Sequence, residues 1–215
     1  MTREITRRII SSIILIPTTL FFIIKGNFFF IFFMIICLLI TAREWYMMSK
    51  NKVHHYFGFI FLLFSFYSAY LIREDFNGLI LFLLIISICI STDIGGYVFG
   101  KTLKGPKLTK ISPKKTYAGV LGGYFFSLIF IYILINNSVI FLQKFNSFGI
   151  DEFIFTLVIS TVSQLGDIII SYFKRLSKIK DTGNLIPGHG GILDRIDGMI
   201  FAFPFYYIFN LIINL

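Results

Sequence analysis

Four aspartates set among glycines and basic residues are the groups in this chain best able to do chemistry. Asp194 and Asp197 stand three residues apart in Leu193-Asp194-Arg195-Ile196-Asp197. If Asp194 opens a helix, both carboxylates share one face near its positive end. Asp93 and Asp167 lie inside apolar runs, eight residues before Lys101 and seven before Lys174. On helices, each is then on the order of 10–12 Å from its basic loop. A carboxylate that deep in an apolar medium costs several kcal/mol unless it is paired or lines a wet cavity. Two readings follow: a salt bridge that holds helices together, or a metal or phosphate site sunk from the basic side. On the second reading Asp167, Asp194 and Asp197 converge. Oxygen ligation without cysteine suits a hard ion such as Mg²⁺, shared with phosphates.

Two stretches could receive those phosphates. One runs Ser112-Pro113-Lys114-Lys115-Thr116 at the head of an apolar segment. Pro113 fixes the backbone there, and two lysines with two hydroxyls suit an anion, although a basic loop is also an ordinary feature of a membrane protein's inner side. The other runs from Lys174-Arg175 through Lys180-Asp181 to Pro187-Gly188-His189-Gly190-Gly191 and Arg195. Gly188, Gly190 and Gly191 leave backbone N–H groups open to an anion. Lys174, Arg175, Lys178 and Arg195 add positive charge. His189 stands between glycines with no Ser or Cys nucleophile arranged beside it, so loop shaping or substrate contact outweighs proton transfer. His54 and His55 read as loop residues.

The elements that position these groups must lie in lipid. The chain has 215 residues, 56% hydrophobic and 14% charged, with a mean hydropathy of +0.82. A soluble domain is about 25% charged, and so short a chain has no core able to hide this much apolar surface. A soluble enzyme, a disordered tail and a nucleic-acid-binding module are excluded, despite the net charge of +9. Cys37 and Cys89 fall in apolar runs and read as small buried hydrophobes. The expected fold is all-α: a polytopic integral membrane protein with about seven transmembrane helices, near 8–24, 28–42, 56–72, 78–100, 117–136, 150–173 and 197–214. The first follows Arg3, Arg7 and Arg8 and reads as a retained anchor. With a cytoplasmic N-terminus, seventeen of the twenty basic residues fall on the inner side, as the positive-inside rule requires. The chain reads as a single transmembrane domain, 1–215, with the catalytic motifs in 91–198.

The run Ser171-x-x-Lys174-Arg175-x4-Lys180-Asp181-x-Gly183-x-x-Ile186-Pro187-Gly188-His189-Gly190-Gly191-x-x-Asp194-Arg195-x-Asp197 resembles the signature of the phosphatidate cytidylyltransferases, the CDP-diacylglycerol synthases. Asp93-x-Gly95-Gly96-Tyr97 and Ser112-Pro113-Lys114-Lys115-Thr116 resemble the same family. The likeness is strong over about 91–198; before that only hydrophobicity and span order agree. Tyr117 and Ala118 stand where that family often has Trp and Glu, which puts a carboxylate role at 118 in question. The chain is also short for the family, which points to a missing N-terminal span.

The resemblance implies Mg²⁺-dependent reaction of CTP with phosphatidic acid, giving CDP-diacylglycerol and pyrophosphate, in a homodimer of a bacterial-type inner membrane with its site facing the cytoplasm. It implies that Asp167, Asp194 and Asp197 hold the metal. The accompanying assignment gives Lys174, Arg175, Lys180 and Arg195 to the phosphates, and the glycines of 188–191, with His189, to the triphosphate pocket. Ser112, Lys114, Lys115 and Thr116 contact the lipid phosphate or CTP. Asp93 and Asp181 support these cations or a second ion. The lipid phosphate is already ionised at neutral pH, so charge neutralisation is needed more than a strong base. Two rivals are a CDP-alcohol phosphotransferase, whose Asp-Gly…Ala-Arg pattern is missing here, and a cation transporter, which should carry midplane charges and internal repeats.

Overall fold

The computed structural model describes residues 2–213 apart from 51, 110, 111, 113, 114, 146, 187 and 189. The regular elements among the described residues are helices: α1 (Thr2–Lys25), α2 (Asn27–Ser49), α3 (His55–Glu74), α4 (Gly78–Thr102), α5 (Tyr117–Asn137), α6 (Val139–Phe145), α7 (Ile150–Leu176), α8 (Leu193–Ile196) and α9 (Met199–Ile213). The long helices follow the apolar runs, and turn residues break them. Gly26, at φ +67°, divides α1 from α2, and Asn77, at φ +57°, precedes α4. Such positive φ values favour Gly and Asn.

Five helices, α2, α3, α4, α5 and α7, are long and apolar enough to cross a membrane. The expected first span falls on α1, 24 residues long and apolar over Ile10–Lys25, and the expected last on α9, 15 residues long. The all-α polytopic expectation therefore agrees with the fold at the level of these five helices.

Helix α4 is the central strut. Leu81, Phe82, Leu84, Ile85, Ile88 and Cys89 are buried among Phe30, Ile131, Ile135, Ile159 and Phe203 from α2, α5, α7 and α9. Many apolar side chains elsewhere face outward, including Phe28, Ile60, Leu121 and Ile212, which suits lipid rather than water. The most extensive pairing is α4 with α5. Gly95 faces Gly122 so closely that a Cβ on Gly95 would stand 2.5 Å from the Gly122 carbonyl oxygen. Small residues let membrane helices meet backbone to backbone. This contact sets Asp93 on α4 beside the segment that enters α5.

The helix ends gather into two groups. At one, the Arg73 guanidinium donates from Nε and Nη2 to the Ile23 carbonyl, 3.1 Å each. At the other, Lys52 Nζ donates to the Leu176 carbonyl at 2.7 Å, and Ser177 Oγ to the Met48 carbonyl at 2.6 Å. A second apolar cluster underlies this second end: Trp45, Met48, Leu62, Phe66, Ile170, Leu193 and Ile200. The chemically interesting residues collect there.

Candidate active site

Residues 177–192 leave the end of α7 as an irregular segment and return as α8. Ile186 and Gly190 exchange backbone hydrogen bonds of 2.9 and 3.2 Å, closing a narrow turn. Gly190 has φ +88°, and a Cβ there would lie 2.8 Å from Asp194 Oδ2. The position thus demands glycine both for conformation and for space. Pro187 and His189 lie outside the described residues, as do Pro113 and Lys114.

Asp194 organises the segment. Its Oδ1 accepts from Lys174 Nζ at 2.9 Å. Its Oδ2 accepts from Thr182 N at 2.7 Å, Thr182 Oγ1 at 3.0 Å and Gly191 N at 3.0 Å. Burial works to raise the Asp194 pKa, but the Lys174 ammonium and the N–H groups of Thr182 and Gly191 outweigh it and hold the carboxyl below its ordinary value. Lys174 is itself buried. In this structure it therefore serves Asp194.

Glu44, on α2, completes the arrangement, and the sequence reading did not single it out. It is buried and accepts from Ile192 N at 3.0 Å and Leu193 N at 2.8 Å, and its Oε2 lies 3.0 Å from the Thr182 hydroxyl, whose single proton it shares with Asp194. These amides open α8, where no earlier helical carbonyl can serve them. The available signal was a glutamate at the end of an apolar run, in Arg43-Glu44-Trp45.

Asp197 ends α8 and is buried, with its Oδ1 accepting from Gly198 N at 3.0 Å. Gly166 and Gly198 allow this turn to press against α7: a Cβ on Gly166 would stand 2.9 Å from the Asp197 carbonyl oxygen. Asp197 consequently lies within electrostatic range of Asp167 and Asp93. Asp167 pairs with Lys115 Nζ at 2.5 Å and accepts from Ser171 Oγ at 3.3 Å. Asp93 is accessible yet closely surrounded by protein, as a side chain lining a cleft would be, and Lys115 and Arg195 are its nearest electrostatic compensation.

Asp93, Asp167 and Asp197 therefore lie within electrostatic range of one another, and Asp194 is bonded to Lys174, Thr182 and Gly191. Among the described residues, no three Asp, Glu, His or Cys side chains are gathered closely enough to hold a metal ion by themselves.

The remaining expected residues surround this cleft in different ways. Thr116 is buried and caps α5, its Oγ1 accepting from Gly119 N at 3.1 Å. The Ser112 carbonyl accepts from Lys115 N at 3.0 Å, and Leu108 N donates 2.8 Å to the Lys115 carbonyl. These bonds fold the loop before α5 back on itself and direct Lys115 toward α7. Arg175, Lys180, Asp181, Gly188 and Arg195 are exposed. Arg175 Nη1 donates to the Ile179 carbonyl at 3.3 Å. Gly191 is buried against Glu44 and Thr182.

Comparison with known proteins agrees with this arrangement. A model of the cytidylyltransferase family matches residues 52–213. A phosphatidate cytidylyltransferase of Rickettsia bellii is 38% identical over 172 residues, covering 78% of this chain and 74% of that protein. One from Rickettsia typhi is 34% identical over 171 residues, covering 78% and 75%. One from Haemophilus influenzae is 37% identical over 141 residues, covering 64% and 48%. The match runs through the loop before α5, the carboxylates of the cleft and the segment from α7 to α9, and by it the chain belongs to the cytidylyltransferase family.

Proposed function

We propose that the chain is a phosphatidate cytidylyltransferase: the phosphate of phosphatidic acid attacks the α-phosphorus of CTP, a new P–O–P bond forms, and the bond to the β-phosphate breaks to release pyrophosphate. The observation that carries the reading is the meeting of Asp93, Asp167 and Asp197 with Lys115 and Arg195 at one end of an apolar helix bundle. Such a cleft can serve a water-soluble nucleotide and a lipid headgroup together.

The residues fit Mg²⁺. The donors are oxygens only, and Mg²⁺ is usually held by one or two carboxylates with substrate phosphates and water. Asp167 and Asp197 would hold it, with Asp93 nearby for a second ion. When bound, Mg²⁺ supplies charge neutralisation for the two approaching anions and the departing pyrophosphate.

The chain's own residues do the rest. Lys115, paired with Asp167, would leave it for a phosphate. Arg195, Arg175 and Lys180 are exposed and would meet the triphosphate. Asp194 holds the glycine turn in shape through Thr182 and Gly191, so its part in this reading is to position that turn. We place this end of the bundle toward the cytoplasm, because its loops carry most of the basic residues, and read α1 and α9 as the remaining two spans.

The test is incorporation of labelled CTP into phosphatidic acid by the purified chain. Label should enter lipid with release of pyrophosphate, stop with EDTA and return with Mg²⁺. A preparation of folded protein that forms no CDP-diacylglycerol from these substrates refutes the reading; consumption of CDP-diacylglycerol with an alcohol would point instead to the phosphotransferase class.

A further inference from the structure

We infer that Glu44 is a positioning residue for the reaction: it fixes the backbone of the Thr182–Leu193 segment so that Asp197 meets Asp167. The inference rests on the function proposed above and extends it to a residue that precedes the stretch matched by the family model, 52–213.

A buried carboxylate without a cation is costly, and it persists where donors meet it. Glu44 is 6% exposed, and both of its oxygens are used. Every one of these donors lies in the segment that ends in Asp197, 138 to 149 residues away in sequence. The fit leaves no slack: a Cβ on Gly191 would stand 2.5 Å from Glu44 Oε2.

Two connections carry this anchorage to the cleft. The Thr182 hydroxyl lies 3.0 Å from both Glu44 Oε2 and Asp194 Oδ2, joining the anchor to the carboxylate that shapes the turn. Leu193, with no exposed surface, plugs into the cluster containing Trp45, the neighbour of Glu44. One helical turn beyond, α8 ends at Asp197. Releasing Glu44 frees the start of that turn and lets its end drift from Asp167. Catalysis is sensitive to displacements of about 1 Å.

The experiment compares the purified full chain with Glu44→Gln, Glu44→Asp and Leu62→Ala. Leu62 belongs to the same apolar cluster and contributes no polar contact to the segment. Glu44→Gln places an amide N–H₂ against backbone donors, and Glu44→Asp keeps the charge on a shorter arm. The readouts are hydrogen exchange of peptides covering 182–198, and kcat separated from the KM for CTP. Glu44→Gln is expected to lose protection in those peptides while α4 and α5 keep theirs, with kcat falling about 10–100-fold, the usual penalty for removing a partner that orients a metal-site residue. Glu44→Asp should fall between it and the parent, and it carries the test if Glu44→Gln does not fold. Leu62→Ala should lower the melting temperature without a selective loss in 182–198. Unchanged exchange and kcat in Glu44→Gln, or losses that only follow the folded fraction as in Leu62→Ala, overturn the inference. A parent protein that transfers no cytidylyl group refutes the proposed function instead, and the exchange comparison still decides whether Glu44 holds the segment.

Discussion

The Lys174–Asp194 pair allows a double-mutant cycle whose outcome follows from the structure. The two side chains are 10% and 4% exposed, and the Nζ–Oδ1 distance is 2.9 Å. Breaking a buried pair from one side costs about 3–5 kcal/mol, because the other charge stays behind. Lys174→Met leaves Asp194 with the amides of Thr182 and Gly191 and a share of the Thr182 hydroxyl. Those donors continue to solvate the carboxylate, so the low end applies, about 3 kcal/mol. Asp194→Asn strands the buried Lys174 ammonium and sets an amide N–H₂ among donors, for a similar loss. In the double variant neither charge is left alone. Its loss should be about 3–4 kcal/mol rather than the sum of about 6, a coupling of about 2–3 kcal/mol between residues in direct contact. Equilibrium unfolding of the four proteins in mixed detergent micelles measures this. Additive losses would refute the pairing, and would return Lys174 to the phosphate-binding role that its place in the sequence suggested.

Two further outcomes follow from other parts of the fold. Gly95→Ala puts a Cβ 2.5 Å from the Gly122 carbonyl oxygen, whereas Gly96→Ala meets only Gly119 O at 3.6 Å; the first should cost about 1–3 kcal/mol in thermal or denaturant unfolding through overpacking, and the second much less. His54 lies in the turn between α2 and α3, its ring against Trp45 and Phe173 and its Nε2 buried without a partner among the described residues. Burial, then the charges of Lys52 and His55, lower its pKa below 6.5. A lowered folded-state pKa means that the stability is present above 6.5 and is lost as pH falls through the depressed value. The melting temperature of the parent should therefore decline on acidification below about pH 6.5, and His54→Phe should flatten that decline; an identical pH profile in the variant would exclude His54 as the source.

Apolar runs made the helices legible, since a run of about 20 apolar residues has few other solutions. The prolines inside two of the helices, Pro17 in α1 and Pro204 in α9, did not end them. The importance of the carboxylates was legible because an acid within an apolar run is expensive. Their grouping was not. Spacing put Asp194 and Asp197 on one helix face, and α8 runs from Leu193 to Ile196 with Asp197 following in helical conformation. Asp194 turns to Lys174, and Asp197 lies against α7. That division depends on Glu44, whose hydrogen bond to Leu193 spans 149 residues of sequence, and on glycines that allow close approach. Neither dependence leaves a periodic trace.

Charge counting treats every lysine near the cleft as equally available to a phosphate, and the folded chain ranks them. Lys174 is paired with a carboxylate at 4% exposure, where losing its partner would strand a charge in an apolar surrounding. Lys115 is also paired, but with side-chain exposures of 23% and 28%. This pair is more open to solvent than Lys174–Asp194 and so less costly to break, and an incoming dianion for Lys115 or a metal ion at Asp167 would compensate the charge each leaves. On the proposed reading Lys115 is therefore the exchangeable cation and Lys174 the fixed one. The triphosphate's attraction then falls on Lys115 and on the exposed Arg175, Lys180 and Arg195, each of which can move to a phosphate without leaving a buried carboxylate unpaired.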